Sequence, residues 1–409
     1  MKIITLIFCL LFLSFSNLLS QTMNSQPSLK VDSGYINVDG GKLFYESAGI
    51  GDNIVLLHDG AVHREIWDAQ FPVFAENYRV IRYDRRGYGK SPNPSTPFSN
   101  IDDLYQLFIQ LKIEKAVIFG MSSGGGLAID FTLKYPDKVK ALVLVGAVVG
   151  GYGYTSHMFT RGGHVKLLAK LLADPQKTIE YFGKEDPYEI YKENVKAKEK
   201  FLKLLKANQI NLSNDKGTLL IRPDLLAAKH LGEIKVPVLI LVGEYDIPDV
   251  HAHAGVIEFG IPNARREIIY NSGHLIPLEQ PDSFNKASLK FLGGIEFFNI
   301  LYSQGVIAAA KYYQDKYESE PGIILFDENE MNSLGYQFLQ SGKIKDAIEV
   351  FKLNTVAYPE SWNVYDSLGE AYLKDGQKDL AIKNYERSLE LNPDNINASK
   401  VLKNLNNSE

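Results

Sequence analysis

A serine set among glycines, Gly120–Met121–Ser122–Ser123–Gly124, constrains the fold of this chain more than any other feature. It follows the predicted strand 115–119 and precedes a helical pattern that runs to residue 135. A strand that turns into a helix this quickly leaves almost no room for side chains two positions before and after the serine. The pattern therefore predicts a sharp turn that presents the Ser122 hydroxyl at a helix N-terminus. Taking Ser123 as the exposed serine would put Met121 where the turn needs glycine.

Apolar segments alternate with helical patterns up to about residue 293. Strands are predicted at residues 35–38, 42–46, 53–58, 79–84, 115–119, 139–149, 236–242 and 266–270. The runs 139–149 and 236–242 are rich in Val, Leu and Ile throughout, which is typical of strands buried on both faces of a parallel sheet. The alternation predicts an α/β fold with a doubly wound, mostly parallel sheet. Residues 151–235 lack a strong strand signal and are predicted to form a helical lid.

Beyond residue 294 the sequence is helical and contains a repeat. Leu334–Gly335 recurs as Leu368–Gly369, and Ala347–Ile348 recurs as Ala381–Ile382, each 34 residues later. A helix–turn–helix unit of this length is the period of tetratricopeptide repeats, which this segment resembles. We therefore predict an α/β domain at residues 21–293 and an all-α repeat domain at residues 295–409. Two or three such units are near the minimum number for a stable repeat domain. The repeats are therefore expected to dock on the first domain, self-associate or bind a protein partner.

The N-terminus has the pattern of a secretory signal peptide. Met1–Lys2 is a basic start, and residues 3–13 form an apolar core that is too short to span a membrane. We predict a signal peptide at residues 1–20 and a periplasmic or secreted protein with no stable membrane span. Cys9 is the one cysteine, so no intrachain disulfide can form. With 44 Lys and Arg against 49 Asp and Glu, the chain has no basic excess to favour nucleic acid.

A serine hydroxyl becomes a good nucleophile only beside a base that an acid orients. Asp246 comes just after the strand 236–242, and His274 lies on the loop after the strand 266–270. Loops that follow parallel strands meet at one edge of a sheet, and the chain order serine, acid, histidine suits this kind of turn. We therefore predict a catalytic triad of Ser122, Asp246 and His274. Glu244 and Asp249 are weaker candidates for the acid.

These residues resemble the α/β-hydrolase superfamily, in its lid-bearing esterase and lactonase-like branch. The resemblance covers about residues 35–292, and Ser122, Asp246 and His274 fall on the family's catalytic positions. Residues 83–91, Tyr-Asp-Arg-Arg-Gly-Tyr-Gly-Lys-Ser, match its Asp-x-Arg-Gly-x-Gly-x-Ser loop. The serine nucleophile excludes the relatives that use aspartate there. The resemblance implies no cofactor, and the spacing His251–Ala252–His253 is too weak a signal for a metal.

The resemblance also implies an oxyanion hole made by the N–H groups of Gly60 and Ser123. The family usually has the sequence His-Gly-x in this loop. This chain has His58–Asp59–Gly60, so Asp59 replaces the usual glycine. A carboxylate directed into the hole would oppose the negative charge that forms there. We predict that Asp59 points away. The substrate pocket is predicted to include His63, Trp67, Met121, Tyr154 and Met158.

The predicted function is that of an exported serine hydrolase of a small or medium carboxylic ester or lactone, acting through an acyl-enzyme. Two alternatives remain open at this point. A carbon–carbon bond hydrolase or a peptidase would use the same triad. A catalytically silent adaptor would act through its repeats alone.

Overall fold

The computed structural model describes residues 29–153, 176–177, 179–180, 190–191, 193–207 and 219–406. The predicted signal peptide and most of the predicted lid, including Tyr154 and Met158, lie outside these residues. The chain forms two compact units, which divide in the sequence between Phe284 and Asn285.

Within the described residues, the first unit is built on one eight-stranded sheet of order β1-β2-β4-β3-β5-β6-β7-β8. Strands β1 and β2, and β2 and β4, pair antiparallel, whereas all other neighbours pair parallel. The predicted α/β fold is thereby confirmed. The bounds are β1 (Val31–Val38), β2 (Gly41–Ala48), β3 (Asn53–Leu57), β4 (Arg79–Tyr83), β5 (Ala116–Met121), β6 (Val139–Val145), β7 (Val238–Gly243) and β8 (Ala264–Ile269).

The central strands are continuous apolar runs because helices cover both of their faces. Every residue of β5 and of β7 is buried, as this arrangement requires. The helices described in this unit are α1 (Phe71–Ala75), α2 (Asn100–Gln110), α3 (Ser123–Lys134), α4 (Val195–Ala207), α5 (Pro248–Gly260), α6 (Ile276–Glu279) and α7 (Pro281–Gln304), of which α7 continues into the second unit. No helix in the described ranges is long and apolar enough to cross a membrane.

The second unit is all-helical over its described residues. After α7 it contains α8 (Val306–Ser319), α9 (Glu328–Gln340), α10 (Ile344–Ala357), α11 (Trp362–Lys374), α12 (Lys378–Leu391) and α13 (Ile396–Asn406). Helix α9 packs on α10, and α11 packs on α12. These two helix pairs coincide with the two 34-residue units that the sequence predicts.

Glycines let the two helices of each pair approach closely. A Cβ atom on Gly335 would overlap the ring of Phe351, and one on Gly369 would lie 3.1 Å from the ring of Tyr385. The two pairs are 34 residues apart in the sequence. Each repeat therefore closes on the same contact between a small residue and an aromatic ring.

Candidate active site

Ser122 lies in the turn between β5 and α3. Its backbone has φ 51° and ψ −115°, which is a strained conformation for a residue with a side chain. A Cβ atom on Gly120 would lie 2.6 Å from the carbonyl oxygen of Gly124, and one on Gly124 would lie 2.5 Å from the carbonyl oxygen of His58. The backbone of the turn leaves no space at either position, which is the physical reason for both glycines.

Asp246 and His274 meet at the same edge of the sheet. Strands β5 to β8 run parallel, so the residues after β5, β7 and β8 share the carboxyl edge. Nδ1 of His274 lies 3.0 Å from each carboxylate oxygen of Asp246, and both side chains are buried. Burial alone would lower the pKa of His274, but attraction to Asp246 and their hydrogen bond outweigh it and raise that pKa. Glu244 instead accepts a hydrogen bond from the backbone of Asn271.

Gly146, directly after β6, makes room for this pair. It has φ 51°, and a Cβ atom there would lie 3.0 Å from the His274 ring and 3.1 Å from the Asp246 carboxylate. The neighbouring Val145 carbonyl accepts a hydrogen bond of 2.9 Å from the N–H of Ser122. The end of β6 therefore contacts the serine turn on one side and the histidine–carboxylate pair on the other. The sequence analysis missed Gly146, although a glycine directly after the buried apolar run 141–145 was an available signal.

Glu279 is a buried carboxylate that fixes the histidine loop. Its oxygens accept hydrogen bonds from the N–H groups on both sides of His274, namely Gly273 and Leu275, each at 2.9 Å. A third bond of 2.8 Å comes from the N–H of Tyr191. One side chain thus ties the loop to a chain segment that precedes α4. The sequence analysis missed Glu279 as well, although it is an acid that directly follows the apolar segment 275–278.

Gly60 and Ser123, the residues of the two predicted oxyanion-hole donors, lie close together. A Cβ atom on Gly60 would be 3.3 Å from the hydroxyl oxygen of Ser123. The Tyr88 hydroxyl donates to the Gly60 carbonyl at 3.0 Å, so the carbonyl of this loop is held by a side chain. The structure therefore brings the loop after β3 against the first residue of α3.

Asp59 is fully buried, and its carboxylate turns back onto its own loop. It accepts hydrogen bonds from the N–H groups of Ala61 at 3.2 Å and Val62 at 2.9 Å. Burial raises its pKa, against the opposing effects of these bonds and of the positive charges on His274 and Arg85. These two hydrogen bonds occupy both oxygens of the side chain that replaces the family's usual glycine.

Arg85, which follows β4, and His58, which follows β3, both hold this loop in place. The N–H of Arg85 donates to Nε2 of His58 at 3.0 Å, and Nδ1 of His58 then donates to the Asp59 carbonyl at 2.8 Å. The Arg85 guanidinium donates to the Asp59 carbonyl and, at 3.0 Å, to the Ser123 hydroxyl. Arg85 therefore bridges both loops of the predicted oxyanion hole, a contact that the sequence analysis did not anticipate.

The predicted pocket residues that can be placed are all interior. His63 is 3% exposed, whereas Trp67 and Met121 are 0% exposed. Burial lowers the pKa of His63, despite the opposing attraction of nearby carboxylates such as Asp84. Their pocket roles remain predictions. No group of three His, Cys, Asp or Glu side chains suited to a metal ion occurs among the described residues.

Comparison with known proteins identifies the family. The model of the alpha/beta hydrolase family matches residues 54–287, more than half of the chain. The chain belongs to this family. A tetratricopeptide repeat matches residues 367–395, on α11 and α12.

Individual relatives of this hydrolase differ in the bond they cleave. A 2-hydroxy-6-oxononadienedioate/2-hydroxy-6-oxononatrienedioate hydrolase of Paraburkholderia phymatum is 33% identical over 283 residues, covering 64% of this chain and 96% of the relative. Among solved structures, Est816, an N-acyl homoserine lactone degrading enzyme, has a TM-score of 0.53 at 27% identity and covers 63% of this chain and 100% of its own. An esterase of Exiguobacterium antarcticum has a TM-score of 0.52 at 26% identity, covering 63% and 98%.

Proposed function

We propose that this hydrolase acts through Ser122, Asp246 and His274 on a small or medium carboxylic ester or lactone. The observation that carries the proposal is the buried pair of His274 and Asp246 at the sheet edge that also presents the strained Ser122. The likeness to esterase and lactonase structures supports the choice of bond.

The proposed reaction uses the histidine as a proton carrier. His274 takes the hydroxyl proton of Ser122 as its oxygen bonds to the substrate carbonyl carbon, and Asp246 stabilises the imidazolium. The N–H groups of Gly60 and Ser123 are the proposed donors to the oxyanion. Collapse breaks the bond to the alcohol oxygen, which leaves with the proton from His274. Water then gives a proton to His274, attacks the acyl-enzyme and releases the acid, and Ser122 recovers its proton.

A carbon–carbon bond hydrolase is the second candidate. It is favoured by the identity of 33% to the 2-hydroxy-6-oxononadienedioate/2-hydroxy-6-oxononatrienedioate hydrolase over nearly the whole of that relative. A panel of 4-nitrophenyl esters, lactones and 2-hydroxy-6-oxo-dienoates, assayed with the same preparation, separates the candidates. The proposal expects a higher kcat/KM for the esters or lactones. A clear preference for the dienoates would replace it with the second candidate.

The nucleophile is tested by labelling the full chain with a fluorophosphonate probe. We expect labelling of the wild type, none of Ser122→Ala, and a fall of about 10⁴-fold or more in ester hydrolysis for that variant. Ser123→Ala is the matched control, because it removes the neighbouring hydroxyl and retains the backbone N–H. Unchanged labelling or hydrolysis in Ser122→Ala would refute the proposal.

Export and the use of the repeats are further parts of the proposal. The basic start and short apolar core support cleavage of a signal peptide near residue 20. N-terminal sequencing of the protein recovered outside the cytoplasm tests this, and an intact Met1 there would contradict it. The tetratricopeptide match supports a protein-binding or self-associating role. The molar mass of the full chain in solution, measured by light scattering, tests self-association.

A further inference from the structure

Arg85 stands apart from the arginines around it. Arg64, Arg82 and Arg86 each form an ion pair, with Asp84 at 2.9 Å, Asp68 at 2.6 Å and Asp103 at 2.7 Å. Arg85 is equally buried, with 6% of its surface exposed. No carboxylate of the described residues lies within 4.0 Å of its guanidinium.

The groups that do contact the Arg85 guanidinium are neutral. They are the Asp59 carbonyl and the Ser123 hydroxyl, with the Tyr88 ring centre 5.1 Å from the guanidinium carbon. Its Nε atom is buried and has no hydrogen-bond partner in the described part of the chain. A buried cation surrounded by neutral groups is costly, and an anion that enters beside it recovers part of that cost.

Asp59 does not fill this role. Its carboxylate attracts Arg85 from beyond ion-pairing distance, and both of its oxygens already accept backbone N–H groups of Ala61 and Val62. The guanidinium therefore retains donor capacity that no protein carboxylate uses within the described ranges.

The Arg85 side chain also lines a cavity. Arg85 and Ser123 line a space of about 480 Å³ that extends along α3 to Asp130 and also contacts Arg222. Ser123 directly follows the proposed nucleophile, so the cavity begins beside the reacting group. Burial raises the pKa of Asp130 to about 6, so above that pH its charge repels an anion from the far end and favours the Arg85 end.

We propose that Arg85 and Ser123 form a carboxylate-binding subsite beside the nucleophile, so that preferred substrates carry a carboxylate close to the bond that is cleaved. This inference rests on the proposed serine hydrolase function for the reaction. The charge preference is an independent property of the cavity.

The test compares two substrates that differ in charge. The 4-nitrophenyl monoester of fumarate carries a free carboxylate whose trans geometry prevents attack on its own ester, and 4-nitrophenyl methyl fumarate is its neutral counterpart. A charge-assisted hydrogen bond predicts that wild type prefers the anionic ester by about tenfold or more in kcat/KM. In Arg85→Gln this ratio should fall to about one, and Arg85→Lys should retain part of it.

Arg222→Gln is the matched control. Arg222 lines the same cavity but is exposed to solvent, so its removal should change the ratio by less than about twofold. The ratio is the decisive readout, because losing the bracing bonds of Arg85 slows both esters together. A wild type without the preference, or an Arg85→Gln variant that keeps it, would overturn the subsite.

A binding measurement separates this inference from the proposed function. Calorimetry on the wild type compares glutarate with uncharged glutaramide, and the subsite predicts that glutarate binds about tenfold tighter or more. Equal binding refutes the subsite even if the probe labels Ser122. Preferential glutarate binding in a chain that the probe fails to label supports the subsite and refutes the nucleophile. If Arg85→Gln does not fold, the same comparison is made with Arg85→Lys, in which glutarate should keep only part of its preference.

Discussion

The hydrolase unit and the repeat unit use glycine for different purposes. In the hydrolase unit, Gly120 and Gly146 make room for a strained turn and for a buried pair of ionisable side chains. In the repeat unit, Gly335 and Gly369 make room for aromatic rings. The first pair follows no period, whereas the second recurs after 34 residues. Aperiodic close contacts beside ionisable groups thus mark chemistry, and periodic ones mark architecture.

Buried polar side chains show the same contrast. In the repeats, the Asn354 amide donates to the Glu328 carbonyl, and the Ser388 hydroxyl donates to the Trp362 carbonyl. These partners also recur at 34 residues, so each bond joins corresponding places of a repeat. Around His274, by contrast, the buried carboxylates come from unrelated positions of the chain. If this contrast is sound, substitutions of the carboxylates around His274 should reduce catalysis. Substitutions at positions that recur in the repeats should reduce stability instead.

Asp246→Asn should have the largest effect of the substitutions that test this contrast. An amide at this position no longer favours the histidine form whose Nε2 accepts the serine proton, so we expect kcat/KM to fall by about 10⁴-fold. Because Asp246 raises the pKa of His274, and the base acts when neutral, wild-type activity should fall as pH drops through a value above 6.5. The residual activity of the variant should fall at a lower pH.

A pH–rate profile of both proteins checks this prediction. Glu244→Gln is the control, because it removes an exposed acid from the same loop without touching His274. The acidic limb of this profile is the pH range in which activity falls as pH drops. If the limb lies at the same pH in Asp246→Asn as in the wild type, the pairing of Asp246 with His274 is contradicted.

Glu279→Gln should have an intermediate effect. The amide cannot accept all three N–H groups that the carboxylate binds, so the histidine loop shifts. A displacement of about 1 Å in a catalytic group costs about 10²-fold in rate. The charge of Glu279 also raises the pKa of His274, so the acidic limb should move to lower pH as well.

Asp282→Asn separates this positioning role from a general loss of charge. Asp282 is an acid three residues further along but is exposed, and its removal should leave both the rate and the limb unchanged. If Glu279→Gln behaves like this control, the three N–H bonds do not position His274.

Gly335→Ala should have the smallest effect on catalysis and a measurable effect on stability. The added methyl group would overlap the Phe351 ring, and overpacking costs about 1–3 kcal/mol, partly offset by about 1 kcal/mol of helix propensity. Gly369→Ala, whose methyl meets Tyr385 at 3.1 Å, should lose less. Urea unfolding of the full chain measures both, and ester hydrolysis should change by less than about twofold. A large loss of hydrolysis would break the contrast between the units.

Patterns that extend over many residues were predictable from the sequence. All eight strands were anticipated, the central ones because buried parallel strands are largely apolar and β1 and β2 because the turn signal Asp39–Gly40–Gly41 separates them. The repeats were recognised by their 34-residue offset, which the two helix pairs of the structure match. Ser122, Asp246 and His274 could be singled out because a turn motif and the ends of parallel strands restrict where they lie.

Residues that act through a few long-range contacts were not predictable. Glu279, Gly146 and Arg85 each depend on which backbone groups or side chains lie within about 3 Å, and no period or motif encodes that distance. The sequence has two adjacent arginines, Arg85 and Arg86, and does not reveal that Arg86 pairs with Asp103. Arg85 has no carboxylate partner among the described residues. Asp59 was flagged because it departs from the family pattern, but its bonds to its own loop appear only in the structure.

The left-handed backbone of Gly146, against which both His274 and Asp246 rest, has an evolutionary consequence. A single change to alanine at this residue would press a methyl group against the histidine and its acid while leaving the nucleophile, the acid and the base in the written sequence. A copy with that substitution would lose hydrolysis while its repeats stayed unchanged. Surveys that judge relatives as active enzymes by three residues alone would count such silenced copies as active, and residue 146 is the position that distinguishes them.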